Sequence, residues 1–102
     1  MGKASQRKGR AAEHECANDA KGYGLETRVH NIYEALDISI EGEPFEVKRR
    51  AEIHKMAYNA LHSGARGLIL RGDREQWLIT ISYRDWLERE QYIKHLERGL
   101  KL

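Results

Sequence analysis

Hydrophobic and polar residues follow two spacings along the chain, and the shorter one, with every second residue apolar, predicts strands. Residues 35–40 and 45–49 alternate strictly, so they are expected to pair as a hairpin. Residues 25–32 carry β-branched side chains and predict a strand before that hairpin. Residues 67–70 form a short apolar run and residues 77–81 alternate again, which predicts two later strands.

Helical spacing marks three other segments. Residues 5–21 favour helix, with Ser5 as the N-cap and glycines directly after the segment. Apolar residues recur at helical spacing over 53–61, and residues 83–98 predict a final amphipathic helix. The predicted order of elements is therefore α-β-β-β-α-β-β-α.

Length and composition narrow the class of protein. With 102 residues and a mass of 11.9 kDa, residues 1–102 are expected to form a single domain around one core. Hydrophobic residues make up 40% of the chain and charged residues 33%, which is apolar enough to fold and too polar for a membrane span. Because the single Cys16 cannot form an internal disulfide and no stretch has the apolar core of a signal peptide, we expect a cytoplasmic protein.

Positive charge is unevenly distributed, although the net charge is only +2. Basic residues gather near the start of the chain and again after its middle: Lys3, Arg7, Lys8 and Arg10, then Lys48, Arg49, Arg50 and Lys55. Two separated basic groups favour a polyanionic partner such as nucleic acid. Solvated surface charge without a partner explains the same pattern equally well.

The predicted hairpin has two faces, because side chains alternate along a strand. The apolar face comprises Leu36, Ile38, Ile40, Phe45 and Val47. The polar face comprises Asp37, Ser39, Glu46 and Lys48. Two carboxylates and a lysine are therefore expected to lie close together, the alternative being an ordinary solvated face with a cross-strand ion pair.

Glu13 falls on the apolar side of the predicted first helix. Steps of about 100° per residue place it in the same arc as Ala12, Cys16, Ala17 and Ala20. Because burying an unpaired charge is costly, Glu13 is expected to meet a cation or a metal ion there. Bending of its side chain to solvent at the helix edge is the alternative.

Three carboxylates beside a lysine suit phosphodiester hydrolysis. Mg²⁺ prefers oxygen ligands and retains several waters. The ion would neutralise the scissile phosphate and lower the pKa of a bound water, while the lysine would orient that water or stabilise the charged transition state. The candidate catalytic residues of such a nuclease are Glu13, Asp37, Glu46 and Lys48.

Asp37 followed by Glu46-Val47-Lys48 resembles the D…ExK signature of the PD-(D/E)xK nuclease superfamily. The opening Arg7-Lys8-Gly9-Arg10-Ala11-Ala12-Glu13 is similar to the KGR-x-x-E start of archaeal-type Holliday junction resolvases within that superfamily. The similarity covers about the first two thirds of the chain. Leu36 stands where the name of the superfamily expects proline.

The resemblance implies an α/β fold with a restriction-endonuclease-like core, in which helices flank a mixed central sheet. It implies that Asp37, Glu46 and the Val47 carbonyl bind Mg²⁺, with Mn²⁺ as a substitute. Glu13 would assist through the metal ion or a water, and Lys48 would position the nucleophile.

The same resemblance implies contacts to DNA outside the metal site. Lys8 and Arg10 would hold backbone phosphates, and we add the remaining basic candidates: Arg7, Arg49, Arg50 and Lys55. Some relatives carry a Q-x-x-x-Y pair on the next helix, and His54 and Tyr58 have that spacing here as possible auxiliary residues. A surface histidine beside a half-buried tyrosine is the favoured alternative.

Resolvases act as symmetric dimers because a four-way junction presents two equivalent cleavage points. We therefore expect a homodimer on branched DNA, for which the apolar stripe of the last helix could supply the interface. That stripe packs on its own sheet in the simpler interpretation. Trp77 and Trp86 could each either anchor such an interface or pack in the core, and core packing is the default interpretation.

The leading hypothesis is a Mg²⁺-dependent, structure-selective endodeoxyribonuclease that resembles a Holliday junction resolvase and acts in DNA recombination or repair. One alternative keeps the chemistry and changes the substrate, as in a phage or mobile-element nuclease that cuts linear, nicked or flapped DNA. Another alternative is a non-catalytic DNA-binding module that retains the nuclease fold.

Overall fold

Three helices and five strands follow one another in the order that the sequence predicts. The structure is a computed structural model that describes the backbone of residues 3–100, with the side chains of Arg7 and of residues 9–99. The helices are α1 (Lys3–Gly22), α2 (Lys55–His62) and α3 (Tyr83–Leu100), and the strands are β1 (Thr27–Val29), β2 (Ile38–Ile40), β3 (Glu43–Phe45), β4 (Gly67–Leu70) and β5 (Leu78–Ile81). The predicted order α-β-β-β-α-β-β-α is confirmed.

The strands form two separate antiparallel sheets within residues 3–100. One sheet has the order β1-β2-β3, and the other consists of β4 and β5. This arrangement differs from the single mixed sheet that the resemblance implies. The physical reason lies after Phe45, where residues 46–50 have no regular secondary structure and therefore offer β4 no strand to pair with.

The hairpin of β2 and β3 depends on a two-residue turn. Ile38 faces Phe45 across the pair, and Glu41 and Gly42 close the turn with φ of 52° and 81°. Positive φ at both central residues is the requirement of the tight turns that match the twist of paired strands. Pro44, which has no backbone N–H to donate, lies in the edge strand β3.

The core lies between α1, the three-stranded sheet and α3. Its buried residues are Ala20, Leu25, Ile38, Ile40 and Leu87. Phe45 and Val47 pack against this cluster from the apolar face of the hairpin, as the alternation predicts. Small residues of α1 let the helix approach the sheet closely, so Ala17 and Ala20 are almost fully buried.

Polar contacts hold α3 against the first sheet and α1. The Lys94 ammonium donates to the Gly24 carbonyl and to the Glu41 carboxylate, both at 2.9 Å. Farther along the molecule, the Tyr83 hydroxyl donates to the Cys16 carbonyl at 2.8 Å. These contacts fix α3 at both ends of the buried cluster. No helix in the described range 3–100 combines the length and the apolar composition needed to cross a membrane.

The two tryptophans have different surroundings. Trp86 packs in the core, where its ring lies edge-on to Phe45 at a centroid distance of 5.3 Å and stacks on Tyr83 at 6.3 Å. Trp77 is 64% exposed, with the Arg71 guanidinium 5.0 Å from the centre of its ring. Core packing is therefore correct for Trp86 and wrong for Trp77, because Trp77 precedes β5 at the end of a turn rather than inside the fold.

The apolar stripe of α3 divides in the same way. Of the residues that predicted this stripe, Trp86 packs against the core, whereas Ile93 and Leu96 are 43% and 49% exposed. Leu87, which the stripe did not include, is 1% exposed and lies in the core. Only the first part of the stripe therefore packs inside the domain.

Replacement of Leu87 by alanine tests the core. We expect Leu87→Ala to lower the free energy of unfolding by about 2–5 kcal/mol, because the substitution removes buried methyl groups and leaves a cavity. The matched control is Leu78→Ala in β5, where the side chain is 55% exposed and the loss should stay below about 0.5 kcal/mol. Urea unfolding followed by circular dichroism measures both values. Similar losses in the two variants would contradict the assigned core.

Candidate functional site

Asp37 is bonded to the chain segment that follows β3. Its backbone N–H donates to the Phe45 carbonyl at 3.0 Å, and its side-chain Oδ2 accepts from the Val47 backbone N–H at 2.6 Å. The register of the hairpin, continued by one residue from Ile38 and Phe45, places Asp37 opposite Glu46. The carboxylate thus extends the pairing beyond the end of β3 and holds Glu46, Val47 and Lys48 beside itself.

Glu46 and Lys48 form an ion pair on the exposed side of this segment. The Lys48 ammonium lies 3.0 Å from Glu46 Oε1, and the two side chains are 52% and 56% exposed respectively. Ion pairs with that much exposure contribute little to stability. Both groups are therefore accessible to a ligand. Glu46 and Lys48 are close to each other, with the ion pair inside one segment rather than across two strands, and Asp37 lies opposite Glu46 in the continued register.

A cleft lies beside the same segment. Its volume is about 590 Å³, and its lining includes Glu46, Val47 and Lys48 on one side and Ile79, Thr80 and Ile81 of β5 on the other. The cleft occupies the space between the two sheets. Glu46 and Lys48 thus border a concave surface.

Glu13 is largely buried, with 14% of its side chain exposed, and it meets a cation. Its Oε2 accepts a hydrogen bond from Arg10 Nη1 at 2.9 Å, one turn earlier in α1. Of the two partners expected from the sequence, a cation or a metal ion, the contact present is with the cation. Arg10 Nη1 also donates to the His30 carbonyl at 3.1 Å, so this pair connects α1 to the end of β1.

His30 is a buried polar residue that the search for site residues missed. Its ring contacts the Ala35 carbonyl through Nδ1 and the Ser39 hydroxyl through Nε2, and its backbone N–H donates to the Asp37 carbonyl at 2.8 Å. His30 therefore connects Arg10 to Asp37, because its carbonyl accepts from Arg10 and its N–H donates to the Asp37 carbonyl. The signal was available, since alternation over 25–32 places His30 on the polar face with Ser39 and Asp37.

The described residues contain no group of three or more His, Cys, Asp or Glu side chains arranged to hold a metal ion. Glu13, Asp37 and Glu46 therefore do not form a three-carboxylate centre in this structure. The reason is that Glu13 is engaged by Arg10, whereas one oxygen of Asp37 is engaged by the Val47 N–H.

Leu36, directly before Asp37, has a strained backbone. Its φ is 64°, in the left-handed region that residues with a Cβ rarely adopt. Proline is fixed near −65°, so it cannot occupy this conformation. The proline that the superfamily pattern expects at position 36 is therefore incompatible with the backbone conformation of this residue.

The 31–36 loop, which joins β1 to β2 and ends at Asp37, is held by side-chain hydrogen bonds. Arg28 donates to both oxygens of Glu34, at 2.7 and 2.6 Å. Glu34 Oε1 also accepts from the Asn31 N–H at 3.0 Å, and Asn31 Oδ1 accepts from the Tyr33 N–H at 2.9 Å. Arg28 first and the Asn31 N–H second lower the pKa of Glu34 to about 2.

The basic candidates are exposed where the structure describes their side chains. Arg7 and Arg10 lie on α1, and the side chain of Lys8 lies outside the described residues. Arg49 and Arg50 are exposed in the irregular segment after Lys48. Lys55 begins α2, with 75% of its side chain exposed and a loose contact of 3.7 Å to Glu52.

The auxiliary pair on the next helix is placed differently from the prediction. His54 precedes α2 with φ of 48°, so it lies outside the helix that was expected to begin at residue 53. Tyr58 is 52% exposed, which agrees with the alternative of a surface histidine beside a half-buried tyrosine, and its ring lies 6.4 Å from that of His62. His54 is nevertheless the N-cap of α2, and its carbonyl accepts from the Tyr58 N–H at 3.2 Å, so the i, i+4 backbone relation is present. The auxiliary role of the two residues stays a prediction.

Comparison of the chain with models of protein families, with curated proteins and with solved structures finds no match. Any function must therefore be inferred from the residues around Asp37 and from their contacts.

Removal of Arg28 tests the electrostatics of the 31–36 loop. We expect Arg28→Ala to raise the pKa of Glu34 from about 2 toward its usual value of 4.5, because the largest cause of the shift is lost. Carboxyl ¹³C NMR across a pH titration measures this change, with Arg84→Ala on α3 as a control that leaves Glu34 unaltered. An unchanged titration of Glu34 in Arg28→Ala would contradict the assigned contact.

The direction of the pH effect follows from the lowered pKa. The folded protein binds the Glu34 proton more weakly than the unfolded chain, so this contact contributes stability above about pH 4.5. The contribution falls as the pH approaches 2, and it should be absent at every pH in Arg28→Ala.

Proposed function

We propose that the chain is a metal-dependent endodeoxyribonuclease that hydrolyses DNA phosphodiester bonds, with a preference for branched DNA such as a four-way junction. The observation that carries this proposal is the hydrogen bond from the Val47 N–H to Asp37 Oδ2. This bond ties the Asp37 side chain to the segment that carries Glu46 and Lys48, which supports the D…ExK interpretation. A protein that only grips phosphates gains nothing from carboxylates facing them.

Asp37, Glu46 and the Val47 carbonyl would hold Mg²⁺, with Mn²⁺ as a substitute. Mg²⁺ in proteins takes one or two carboxylates and keeps several waters, so the pair of acids fits this ion without Glu13 as a third ligand. When bound, the ion supplies charge neutralisation at the scissile phosphate and a water of lowered pKa.

Lys48 would position the attacking water and stabilise negative charge on the phosphate. Its ammonium is a compact donor on a flexible stem, and about half of the side chain is exposed. The Glu46 carboxylate at 3.0 Å holds the ammonium beside the acidic pair. A phosphate bound through a metal ion at Glu46 would therefore lie within reach of the lysine.

Glu13 would assist from α1 through a water, while it keeps Arg10 in place. The Arg10 side chain is 48% exposed, so its guanidinium can reach a phosphate of bound DNA as well as the His30 carbonyl. A bidentate donor of this kind suits phosphate oxygens. Helix α1 would thus contribute to backbone contacts next to the cleavage site.

The remaining basic residues would hold the DNA backbone on either side of the cluster. They are Arg7, Lys8, Arg49, Arg50 and Lys55. Their contacts would act through counterion release and would not read sequence. The protein would therefore recognise the shape of DNA rather than its sequence. Such recognition would suit a cytoplasmic, restriction-endonuclease-like enzyme that acts in recombination or repair.

A second candidate function is a DNA-binding module without catalysis. Two observations favour it: Glu13 is paired with Arg10, and no group of three acidic or other ligating side chains is formed among the described residues. The basic residues would then serve binding alone.

Replacement of Asp37 by asparagine separates the two candidates. Asparagine keeps an oxygen that can accept the Val47 N–H and loses the charge that holds a cation, so the segment should stay in place. We expect Asp37→Asn to lower Mg²⁺-dependent cleavage of a four-way junction on the order of 100-fold or more. The matched control is Asp73→Asn, in the exposed turn between β4 and β5, which should cut like the wild type.

Gel assays on four-way, flapped, nicked and linear DNA give the result. Equal activity of wild type and Asp37→Asn would reject the site, and binding without any cleavage by the wild type would favour the module. Equal cleavage of all substrates would reject branch selectivity and favour the nuclease of linear or flapped DNA.

We also propose that two copies of the chain act together. An apolar groove of about 640 Å³ separates β4 and β5 from α3, and its lining includes Ile69, Ile79 and Ile93. Ile69 and Ile79 are each 66% exposed, which is unusual for isoleucine in a strand. A symmetric dimer would cover this face and would match the two equivalent cleavage points of a junction.

A single charged side chain on this apolar face should disrupt the proposed dimer. We expect Ile79→Asp to sediment as a monomer in analytical ultracentrifugation while wild type sediments as a dimer, because an unpaired carboxylate would be buried in the interface. Met56→Asp on α2, at a residue 65% exposed, is the control and should remain dimeric. A monomeric wild type, or an unchanged Ile79→Asp, would reject this interface.

A further inference from the structure

The 31–36 loop presents two neighbouring apolar side chains to solvent. Ile32 is 82% exposed and Tyr33 is 91% exposed, more than any other large hydrophobic residue among those described. A single exposed apolar residue on a surface is ordinary. An isoleucine and a tyrosine side by side at a loop tip, next to the proposed catalytic carboxylate, are a candidate contact surface.

The loop backbone is fixed while these two side chains are free. The Arg28–Glu34 contacts close the base of the loop, and Asn31 Oδ1 holds the Tyr33 N–H at 2.9 Å. A fixed backbone lowers the conformational entropy that a contact must overcome. The loop therefore presents Tyr33 and Ile32 in a preorganised position.

The loop also leads directly to Asp37. Asp37 follows Tyr33 by four positions in the chain, which limits the distance between their Cα atoms to about 14 Å. The base pairs of duplex DNA follow one another every ~3.4 Å, so Tyr33 lies within about four base steps of a phosphate at Asp37. The Tyr33 side chain is therefore close enough to reach bases near the cleavage point.

We infer that Tyr33, with Ile32 beside it, stacks on an unpaired or unstacked nucleobase at the branch point of bound DNA and so selects branched over continuous duplex. This inference rests on the proposed function. Apolar side chains gain nothing from phosphates, but they do gain from the faces of bases that have left the stack. The exposed basic residues Arg10, Lys48 and Arg49 on neighbouring segments provide the charge that brings DNA to this surface.

Binding without cleavage tests the inference. The protein carries Asp37→Asn and is kept in Ca²⁺, and its probes are a four-way junction with 2-aminopurine at the branch and a linear duplex of the same sequence. We expect Tyr33→Ala to weaken binding of the junction about 10-fold and binding of the duplex less than about 2-fold. The change in 2-aminopurine emission on binding should be lost, and Tyr33→Phe, which retains the ring, should restore both signals.

The matched control is Tyr92→Ala on α3, where the tyrosine is 64% exposed and lies on another element. It should bind both probes like the parent protein. Equal weakening of junction and duplex by Tyr33→Ala, or no weakening of either, overturns the inference. The proposed function fails separately, in the Mg²⁺ cleavage assay of the protein with Asp37 intact, because the binding experiment needs no cleavage.

Discussion

The hydrogen bond from the Val47 N–H to the Asp37 carboxylate connects the fold to the site. Backbone pairing of the hairpin ends at Phe45, and a side-chain oxygen takes the place of the next backbone acceptor. The chain after β3 is therefore held beside the sheet without belonging to it. Glu46 and Lys48 consequently stay exposed, whereas the Val47 side chain between them packs against the core.

A second set of contacts connects α1 to the same strand end. The Arg10 guanidinium bridges the Glu13 carboxylate and the His30 carbonyl, and the His30 N–H bonds to the Asp37 carbonyl. Each buried polar group in this series has a partner, which is the condition for keeping it away from water. Helix, loop and hairpin therefore meet through polar groups at one end of the first sheet, while the alanines of α1 and Leu87 of α3 supply the apolar contact at the other.

The sequence patterns predicted those features of the fold that depend on residues close together in the chain. Alternation placed Ile38 and Ile40 inside and Asp37 on the opposite face, and helical spacing placed Glu13 on the inner side of α1. Sheet pairing depends on contacts between distant segments, so the separation of β4 and β5 from the first sheet was not readable from the periodicity. The choice of Arg10 as the partner of Glu13 and the left-handed backbone of His54 depend likewise on how the elements meet. Alternation places His30 on the same face as Asp37, but its contacts with the Ala35 carbonyl and the Ser39 hydroxyl depend on how the loop after β1 folds back.

The left-handed backbone of Leu36 restricts how this chain can vary. Glycine or asparagine would relieve the strain at that position, since both adopt positive φ with little penalty. Proline would require the peptide before Asp37 to rotate, and the turn that displays Tyr33 would have to be rebuilt around it. A proline at position 36 and the present shape of this loop are thus mutually exclusive, so a change at this one position would alter both the entry to Asp37 and the display of Tyr33.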